Sequence, residues 1–571
     1  MRIPVFSNIG GMENSMNIRQ RITLIILSLV ILTPLLLPLT QPGTLHQFDM
    51  ILHLERIVAF YRSLQDHSIP PTWSTYLSYG FGSPVLIYNW SFPYYIAAIA
   101  LSLGSTLVDA YKWMTALTYI LAFLWMYVFV ALLTKSKIAG LVAAAWYVWA
   151  PYRFNINNLR GAIGEEFATA FWPGVFWATT VLFKKQYALG FFSGTVLWSI
   201  LVWSHPPMFA MILPLWMLYT CMQLLQTRNV QALLISLGAL FVGVGAVAYS
   251  WAPIIFERGL LRYGVHEMIY PDNFVRWSQL LAQPDIYEFN LQLGPTRYLV
   301  FYSIGWTLIA VGILTAFNLA TCGRKWTAER GYQLLFLGMG IFAVFLLRPA
   351  SSFLWAHLPL LAPTMVFPQR FLGLVMFCGS VLGGLYMYHI HSRHKWTAAI
   401  IAMGCIVLVN FPYLHLNKNR EQDIARLNAP RLTTTDVWGE FSPKWIPSDF
   451  QQKGLLYGQQ PMLTVLPPGP SAPLCTQTSR SVTCSIATSG PATVRFRQFY
   501  FPGWIAYADA KKIPVTMDTD GTIVLSLTKP TQIIQIEFTQ TPLRKFSSIL
   551  SVLFTGLYIF LFTKTIYTRF I

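Results

Sequence analysis

The chain has 571 residues, of which 55% are hydrophobic and only 11% are charged. Because a soluble domain carries about 25% charged residues, this composition excludes an ordinary soluble enzyme and indicates a membrane protein. The net charge of +18 does not indicate nucleic acid as a partner, since the basic residues mostly form short clusters between apolar runs, the pattern of a polytopic membrane protein.

Twelve apolar runs predict membrane-spanning helices, since about 20 apolar residues cross a bilayer. The first run follows Arg19 and Arg21 and lacks the small-x-small pattern of a cleaved signal peptide, so we expect a retained span. The basic clusters fall on one side if both termini are cytoplasmic, as the positive-inside rule requires. The predicted spans are 22–39, 110–133, 138–152, 167–183, 187–203, 208–225, 230–252, 299–320, 331–347, 371–390, 396–414 and 546–565.

One further run, residues 85–104, is apolar enough to span the membrane. Counting it as a span would place Lys135 and Lys137 outside and invert the topology of everything that follows. Its aromatic and proline content is typical of a helix lying on the membrane surface. We therefore predict one long outer loop over residues 40–108.

The largest outer segment, 415–545, is polar and contains stretches that are typical of β-strands. They are residues 492–500, 522–527 and 532–538, with a turn over 518–521. We predict a small antiparallel β-sandwich, held by a span at each end.

The predicted fold class is therefore an α-helical polytopic membrane protein with a C-terminal extracytoplasmic β-sandwich. The membrane domain covers 1–414, the β-domain 415–545, and the final span with a cytoplasmic tail 546–571. Cys475 and Cys484 lie nine positions apart in the β-domain, where an oxidising compartment favours a disulfide. Two free thiols are the alternative.

The first outer loop begins with a group of charged residues. Asp49, His53 and Arg56 have the spacing i, i+4, i+7, which places them on one face of a helix, whereas Glu55 points away. A carboxylate there can act as a general base or bind a cation, and its neighbours tune its charge. The alternative is an ordinary surface helix with an i,i+4 pair.

A second group lies just before the span at 167–183. Glu165 and Glu166 are costly beside a membrane boundary unless they are partnered or functional, and Arg160 is one available partner. A loop salt bridge is the alternative. His205, between two spans, is either a structural or a catalytic histidine.

Five arginines in outer segments oppose the positive-inside trend, so they need another reason to be there. Guanidinium groups bind phosphate bidentately, while pairing with local acids such as Glu257 or Asp272 is the alternative. These arginines are Arg258, Arg262, Arg276, Arg348 and Arg370. The sequence has neither a phosphate-binding Gly-x4-Gly-Lys-Ser/Thr loop nor a His-Glu-x-x-His zinc motif.

Several motifs together resemble the bacterial membrane family labelled "6-pyruvoyl-tetrahydropterin synthase related", which is similar to the GT-C superfamily of polytopic glycosyltransferases. The C-terminal Tyr500-Phe-Pro-Gly-Trp504 resembles the outer β-domain of bacterial membrane proteins that glycosylate lipoteichoic acid. The N-terminal motifs are Asp49-x3-His53-x2-Arg56, Ile69-Pro-Pro-Thr-Trp73, Tyr79-Gly-Phe-Gly-Ser-Pro84, Phe92-Pro-Tyr-Tyr95, Ala150-Pro-Tyr-Arg153, Arg160-Gly-Ala-x2-Glu165 and Ser204-His-Pro206.

The resemblance implies a polyprenyl-phosphate sugar as donor and an acceptor that binds from the outer side. Asp49 aligns with the essential acid of the first outer loop, and Glu165 matches the glutamate of the Arg-Gly-Ala-x2-Glu motif, while Glu166 occupies a position that is usually not acidic. The Asp-Asp or Asp-Glu dipeptide of several GT-C groups is absent, because Met50 follows Asp49. The metal ligands are therefore unknown, and a divalent cation (Mg²⁺ or Mn²⁺) is an open alternative to no cofactor.

The functional hypothesis is inverting glycosyl transfer to a glycan, lipid or polymer at the outer surface of a bacterial inner membrane. The catalytic residues would be Asp49 as the base, Glu165, which would position the acceptor or help to bind a cation, and His53, which would orient the acceptor or meet the donor phosphate. The residues that bind substrate or donor phosphate would be Arg56, Arg160, Glu166, His205, Arg276 and Arg370. A transporter or flippase for a lipid-linked substrate, or a non-catalytic envelope assembly factor, are the alternatives.

Overall fold

The computed structural model describes residues 18–45, 47–262, 270–282, 302–321, 327–358, 361–390, 394–414, 439–447, 449–450, 458–469 and 472–570. Most of these residues are helical. The α-helices are α1 Ile18–Leu36, α2 Met50–Gln65, α3 Val85–Tyr88, α4 Phe92–Ser102, α5 Leu107–Thr134, α6 Lys137–Trp149, α7 Pro151–Phe154, α8 Ile163–Phe183, α9 Tyr187–Ser204, α10 Pro206–Thr227, α11 Val230–Ala246, α12 Ala248–Phe256, α13 Trp277–Leu280, α14 Trp306–Thr321, α15 Ala328–Leu346, α16 Ser352–His357, α17 Leu361–Met365, α18 Leu372–His389, α19 Lys395–Asn410 and α20 Pro542–Phe570.

The chain is a multi-pass membrane protein. Within the described residues, eight helices are long and apolar enough to cross a bilayer, and α11 with α12 forms a ninth candidate that bends by 75°. Each of the twelve predicted spans has a helical counterpart. The three that do not meet the length and hydropathy of a span are α6, α8 and α14, so the count of twelve stays a prediction.

Helix α8 differs from the other long helices in its surroundings. All of its residues are buried, and Glu165 and Glu166 occupy its first turn. It packs mainly against α5 and α9. The helix is therefore surrounded by protein, and its N-terminal end can hold two carboxyl groups that lipid would not tolerate.

The ambiguous apolar run at 85–104 is divided into two short helices. Helix α3 has four residues and α4 has eleven, with Asn89 extended between them. Neither helix reaches the length of about 20 residues that a bilayer requires. The long outer loop over residues 40–108 stays a prediction.

The C-terminal region contains two antiparallel sheets. One has four strands in the order β1-β4-β8-β7 and the other has five in the order β2-β3-β9-β5-β6. The strands are β1 Leu463–Leu466, β2 Leu474–Gln477, β3 Ser481–Ser485, β4 Ala492–Phe499, β5 Trp504–Ala508, β6 Lys511–Ile513, β7 Thr516–Met517, β8 Thr522–Leu527 and β9 Ile533–Phe538. The β-rich region is thus confirmed, while its description as a sandwich stays a prediction.

The predicted strand stretches correspond closely to β4, β8 and β9. The turn at 518–521 joins β7 to β8, with Gly521 donating to the Asp518 carbonyl over 3.0 Å. Cys475 and Cys484, opposite each other on β2 and β3, form a disulfide with an S–S distance of 2.06 Å. The predicted start of the β-domain at 415 falls in 415–438, which lies outside the described residues.

The first long loop is packed against the sheets. The Asp66 carboxylate accepts from the Ser479 amide over 2.7 Å, and the Thr75 amide donates to the Ser479 carbonyl over 2.9 Å. Trp73 is fully buried, with its ring centre 4.9 Å from that of Phe538. The loop and the β-region are therefore joined by both polar and aromatic contacts.

A buried ion pair extends this joint into the last helix. Arg544 of α20 donates to Glu257 over 2.8 Å, with 4% and 10% of the two side chains exposed. Arg544 also donates to the Pro502 carbonyl and to the hydroxyl of Tyr88 in the first loop. One guanidinium thus connects the first loop, the residue after α12, the sheets and α20.

Candidate functional site

The start of the first loop lies against the segment that precedes α8. The amide of Phe48 donates to the Leu159 carbonyl over 3.2 Å, and the amide of Asp49 donates to the Arg160 carbonyl over 2.8 Å. Helix α2 begins at Met50, so Asp49 is its N-cap residue, yet its side chain makes no capping hydrogen bond. The two predicted groups of charged residues are therefore brought together by the backbone.

A one-turn π-helix, Asn155–Arg160, shapes the second group and ends at Gly161. Gly161 has φ +67°, which glycine adopts without strain. A Cβ atom there would lie 2.7 Å from both the Gln47 side-chain oxygen and the Tyr111 hydroxyl. This close approach requires glycine, and it lets Arg160 and α8 converge on the loop.

Glu165 is held by two arginines. Arg160 donates to both of its carboxylate oxygens, at 2.9 and 3.1 Å, and Arg370 donates through Nε at 2.8 Å. Tyr152 adds a hydrogen bond of 3.0 Å. Burial would raise the pKa of Glu165, but attraction from Arg160 and Arg370 outweighs burial and holds the pKa well below its usual range. Glu165 is a permanent anion.

The two arginines keep donors that Glu165 does not use. Arg370 engages Glu165 through Nε and the Met365 carbonyl through Nη1, while Arg160 uses Nη1 and Nη2. Arg370 Nη2 and Arg160 Nε make no hydrogen bond to a described residue. Since two guanidinium groups share one carboxylate, the triad carries a net positive charge, which favours an anionic ligand.

Asp49 has a different electrostatic character from Glu165. Burial raises its pKa to about 6, although Arg160 and Arg56 act in the opposite direction and the charges of Glu165 and Glu440 add to the rise. No hydrogen bond joins its carboxylate to another described residue. Asp49 is therefore a half-buried carboxyl group without a hydrogen-bond partner among the described residues, and its pKa of about 6 lies just below neutral pH.

His53 belongs to a hydrogen-bonded chain within the first loop. Its Nδ1 lies 2.9 Å from the Tyr94 hydroxyl, which also accepts from Asn89 over 2.6 Å. Burial and the neighbouring charge of Arg56 lower the pKa of His53 well below its usual value. His53 is thus a neutral hydrogen-bonding group and does not supply a positive charge for a phosphate.

Arg56 lies on the predicted face of α2. Its guanidinium carbon lies 5.3 Å from the ring centre of Phe441, a residue that follows α19. Glu55, which the helical spacing directs away, is only 1% exposed. Helix α2 is therefore packed against protein on more than one side, and the placement of Glu55 away from the face of Asp49, His53 and Arg56 stays a prediction.

His205 lies at the junction of α9 and α10, close enough to Glu165 to feel its charge. Its Nδ1 accepts from the Met208 amide over 3.2 Å, which places the proton on Nε2. Burial and the charge of Arg370 lower its pKa to about 3. A Cβ on Gly164 would come within 3.0 Å of the His205 ring. Glycine at this position therefore lets the neutral imidazole pack against the first turn of α8.

Glu166 lies in a separate polar cluster. It is fully buried and accepts from Asn157 over 3.2 Å and from Thr118 over 3.4 Å. Burial raises its pKa well above the usual value, although Arg153 acts against the rise. The two adjacent glutamates therefore differ in charge: Glu165 is ionised and Glu166 is neutral.

Arg276 does not join this site through any contact between described residues. It is exposed at the start of the short helix α13, where its amide donates to Gln279 over 2.8 Å. Arg348 donates to the Val275 carbonyl, and its guanidinium carbon lies 4.6 Å from the Trp277 ring centre. Neither Arg348 nor Arg370 pairs with the acids expected from sequence, Glu257 and Asp272.

Several residues of the site were missed at the level of sequence. They are neutral polar or aromatic side chains, namely Gln47, Asn89, Tyr94, Tyr152, Asn157 and Phe441. Tyr94 and Tyr152 do fall inside motifs on which the family resemblance rests. Gln47 carries a weaker signal, as a polar residue two positions before the first-loop acid.

The described residues contain no group of three or more His, Cys, Asp or Glu side chains that could hold a metal ion. Both oxygens of Glu165 are already occupied by guanidinium and phenol donors. The arrangement instead combines one titratable carboxyl group with two arginines that share a fixed anion. Such a site can accept a proton and stabilise a negative charge.

Taken together, these features define a multi-pass membrane protein with an acid–arginine site beside a β-rich region. No family model and no curated protein matches the sequence. The resemblance to the "6-pyruvoyl-tetrahydropterin synthase related" family therefore stays a prediction.

Solved structures of the Archaeoglobus fulgidus oligosaccharyltransferase are similar to this chain. The apo form shares 12% identity at a TM-score of 0.42, covering 76% of this chain and 62% of that one. The form tethered to an acceptor peptide with the NVT sequon shares 13% identity at 0.42, covering 70% and 55%. The complex with Zn and sulfate shares 12% at 0.41, covering 70% and 54%. This chain spans less than two thirds of each, and the likeness at these TM-scores assigns no activity.

Proposed function

We propose that this protein is an inverting glycosyltransferase that moves a sugar from a polyprenyl-phosphate donor to an acceptor outside a bacterial inner membrane. The observation that carries the proposal is the position of Asp49. It is a half-buried carboxyl group with a pKa of about 6, and its amide donates to the carbonyl of Arg160, one of the two arginines that share Glu165. Both termini would then be cytoplasmic, and the acceptor would be a glycan, lipid or polymer.

Asp49 has the properties that a general base requires. A base works best when its pKa lies near the operating pH, because it must be ionised and still hold the proton it receives. At neutral pH a group with a pKa of about 6 is mostly ionised. Glu165 lacks this property because its pKa is held low, and Glu166 because burial keeps it protonated.

The arginines supply the matching charge for the leaving group. As the bond between the sugar and the donor phosphate breaks, negative charge grows on the phosphate oxygen, and preorganised donors stabilise it. Arg160 and Arg370 each keep a donor that Glu165 does not use. In this role Glu165 orients the two arginines and does not contact the acceptor.

The proposed step is a single displacement at the anomeric carbon of the sugar. The acceptor oxygen attacks the anomeric carbon from the face opposite the phosphate, and its proton passes to the Asp49 carboxylate. The bond between the anomeric carbon and the phosphate oxygen breaks, and its electron pair leaves with polyprenyl phosphate. The neutral imidazoles of His53 and His205 serve as hydrogen-bonding groups, and Arg56 adds positive charge beside Asp49.

The site does not fit a cation held between Asp49 and Glu165. A divalent cation requires free carboxylate oxygens, whereas Glu165 accepts from Arg160, Arg370 and Tyr152. The proposed step therefore uses no metal ion. Arg276, which has no contact with the site, is left out of the phosphate-binding set.

The test is the substitution Asp49→Asn, assayed in membranes with radiolabelled polyprenyl-phosphate hexoses and N-acetylhexosamines and the endogenous acceptors. We expect transfer to fall by about 100-fold or more, since a positioned base contributes about 10²–10⁴-fold. The control is Asp109→Asn, an exposed acid at the start of α5 whose carboxylate bonds to Thr106. Its transfer should equal that of the wild type.

The same assay separates the competing functions. Unchanged transfer by folded Asp49→Asn would refute the general-base role. Movement of the lipid donor across the membrane without transfer would favour a flippase, and binding without turnover by the wild type would favour an assembly factor. We expect release of polyprenyl phosphate in proportion to the sugar transferred.

A further inference from the structure

We infer that Glu166 is a positioning residue that holds Asp49 in the site through Asn157 and Gln47. The inference deepens the proposed function, because it explains how the proposed base is kept in place. Among the described residues, Glu166 makes no hydrogen bond to Asp49 or to the two arginines that bind Glu165. Its influence would pass through three hydrogen-bonded steps.

The first step joins Glu166 to the one-turn π-helix. Asn157 donates from Nδ2 to Glu166 over 3.2 Å and to the Thr118 hydroxyl over 3.0 Å, and Thr118 lies 3.4 Å from the same glutamate oxygen. Asn157 and Glu166 are both fully buried. The three side chains therefore form a closed triangle beneath Asn155–Arg160.

The second step joins the π-helix to the first loop. The backbone carbonyl of Asn157 accepts from Gln47 Nε2, and Gln47 Oε1 accepts from the Tyr111 hydroxyl over 2.9 Å. Tyr111 also lies 3.3 Å from the Gly161 carbonyl. Gln47 is thus fixed at both ends of its amide, on opposite sides of the turn that carries Arg160.

The third step runs along the backbone from Gln47 to Asp49. The amides of Phe48 and Asp49 donate to the carbonyls of Leu159 and Arg160. Gln47 therefore adjoins two backbone hydrogen bonds that tie Phe48 and Asp49 to the turn that carries Arg160. Among the described residues no side-chain hydrogen bond holds Asp49, so its position depends on this backbone.

The charge state of Glu166 suits a structural acceptor. A buried ionised carboxylate without a salt bridge would be costly, and burial keeps Glu166 protonated. A neutral carboxyl group accepts from Asn157 and Thr118 without placing a second negative charge beside Glu165. An amide of the same shape should therefore replace it, whereas a methyl group should not.

The test measures the pKa of Asp49 directly, by infrared titration of the full-length protein in lipid nanodiscs without substrate. The carboxyl band of Asp49 is the one that Asp49→Asn removes. In Glu166→Ala and in Gln47→Ala we expect its pKa to fall by about one unit, from about 6 towards 3.8, because a loosened loop exposes the carboxylate to water.

Two variants serve as controls. Glu166→Gln keeps the shape and the neutrality of the side chain, so the pKa of Asp49 should stay near 6. Asn158→Ala changes the neighbouring residue of the same turn, whose Oδ1 accepts from Tyr119 over 3.1 Å outside this chain of contacts, and should also leave it near 6. Combining Glu166→Ala with Gln47→Ala should shift the pKa no further than either change alone, since both break one path.

An unchanged Asp49 titration in Gln47→Ala would overturn the inference, even if Glu166→Ala failed to fold. An equal shift in Asn158→Ala, or additive shifts in the double variant, would also overturn it. The readout does not involve sugar transfer. Failure of the proposed function would appear as an active Asp49→Asn variant, whereas failure of this inference would appear as an unmoved pKa.

Discussion

Replacing Asp49 with asparagine should stabilise the protein at neutral pH while lowering transfer by about 100-fold or more. Because the folded pKa of about 6 lies above the ordinary value of 3.8, the folded protein binds this proton more tightly than the unfolded chain does. The contribution of Asp49 to stability is therefore fully present below pH 3.8 and is lost as the pH rises through about 6. The difference of about two pKa units is worth at most about 3 kcal/mol.

Asparagine imitates the protonated acid, so Asp49→Asn should raise the free energy of unfolding at pH 7 by up to about 3 kcal/mol. Thermal unfolding of purified protein in detergent, followed at pH 4 and pH 7, measures the effect. The gain should vanish at pH 4, where wild-type Asp49 is already protonated. A loss of stability at pH 7 would refute the reasoning, because it would mean that the ionised carboxylate makes favourable contacts.

Three further outcomes follow from the buried ion pairs. Glu165→Gln should destabilise the protein by about 3–5 kcal/mol, since two guanidinium groups lose their shared anion. The control Asp520→Asn, in an exposed pair with 53% of its side chain accessible, should cost about 0–1 kcal/mol. Equal losses for the two variants in urea unfolding would contradict this. Arg544→Met should lower the free energy of unfolding by about 3–5 kcal/mol, because it leaves Glu257 buried without its ion-pair partner. An unchanged unfolding temperature would contradict a stabilising role of the Arg544–Glu257 pair. Because the pKa of Glu165 is depressed, its contribution is present above its ordinary value of 4.5 and is lost as the pH falls below it; acid unfolding of Glu165→Gln should accordingly be less steep than that of the wild type.

In the β-rich region, the sequence predicted the longer strands and missed the shortest ones. Strands β4, β8 and β9 have six to eight residues, and their β-branched and aromatic residues are recognisable. Strand β7 has two residues and β6 has three, too few to establish alternation with a period of two. The strand before the turn at 518–521 was therefore not predicted.

The charged members of the site were predictable for a physical reason. Acids and arginines beside apolar runs are costly unless they have a partner or a use, which singled out Asp49, Arg160, Glu165 and Arg370. Their pairing was not predictable from spacing. Arg370 contacts Glu165 from 205 positions away, so only the folded chain shows that the expected phosphate ligand is also a salt-bridge partner.

The neutral residues of the site could not be predicted from the sequence. Gln47 and Asn157 act by hydrogen bonds that depend on a backbone turn, and such residues are common on any loop. Helical spacing directs Glu55 away from Asp49, His53 and Arg56, but it gives only the angle around α2. It does not reveal that other parts of the chain surround that helix.

The pH dependence of transfer tests the central claim most directly. For the wild-type protein in membranes, kcat/KM for a polyprenyl-phosphate sugar should fall on the acid side with an apparent pKa of about 6, since the base must be ionised in the free enzyme. The slow residual transfer of Asp49→Asn should lack this acid limb. An acid limb near 6 that persists in Asp49→Asn, or a wild-type rate that is flat from about pH 5 to 8, would contradict Asp49 as the base.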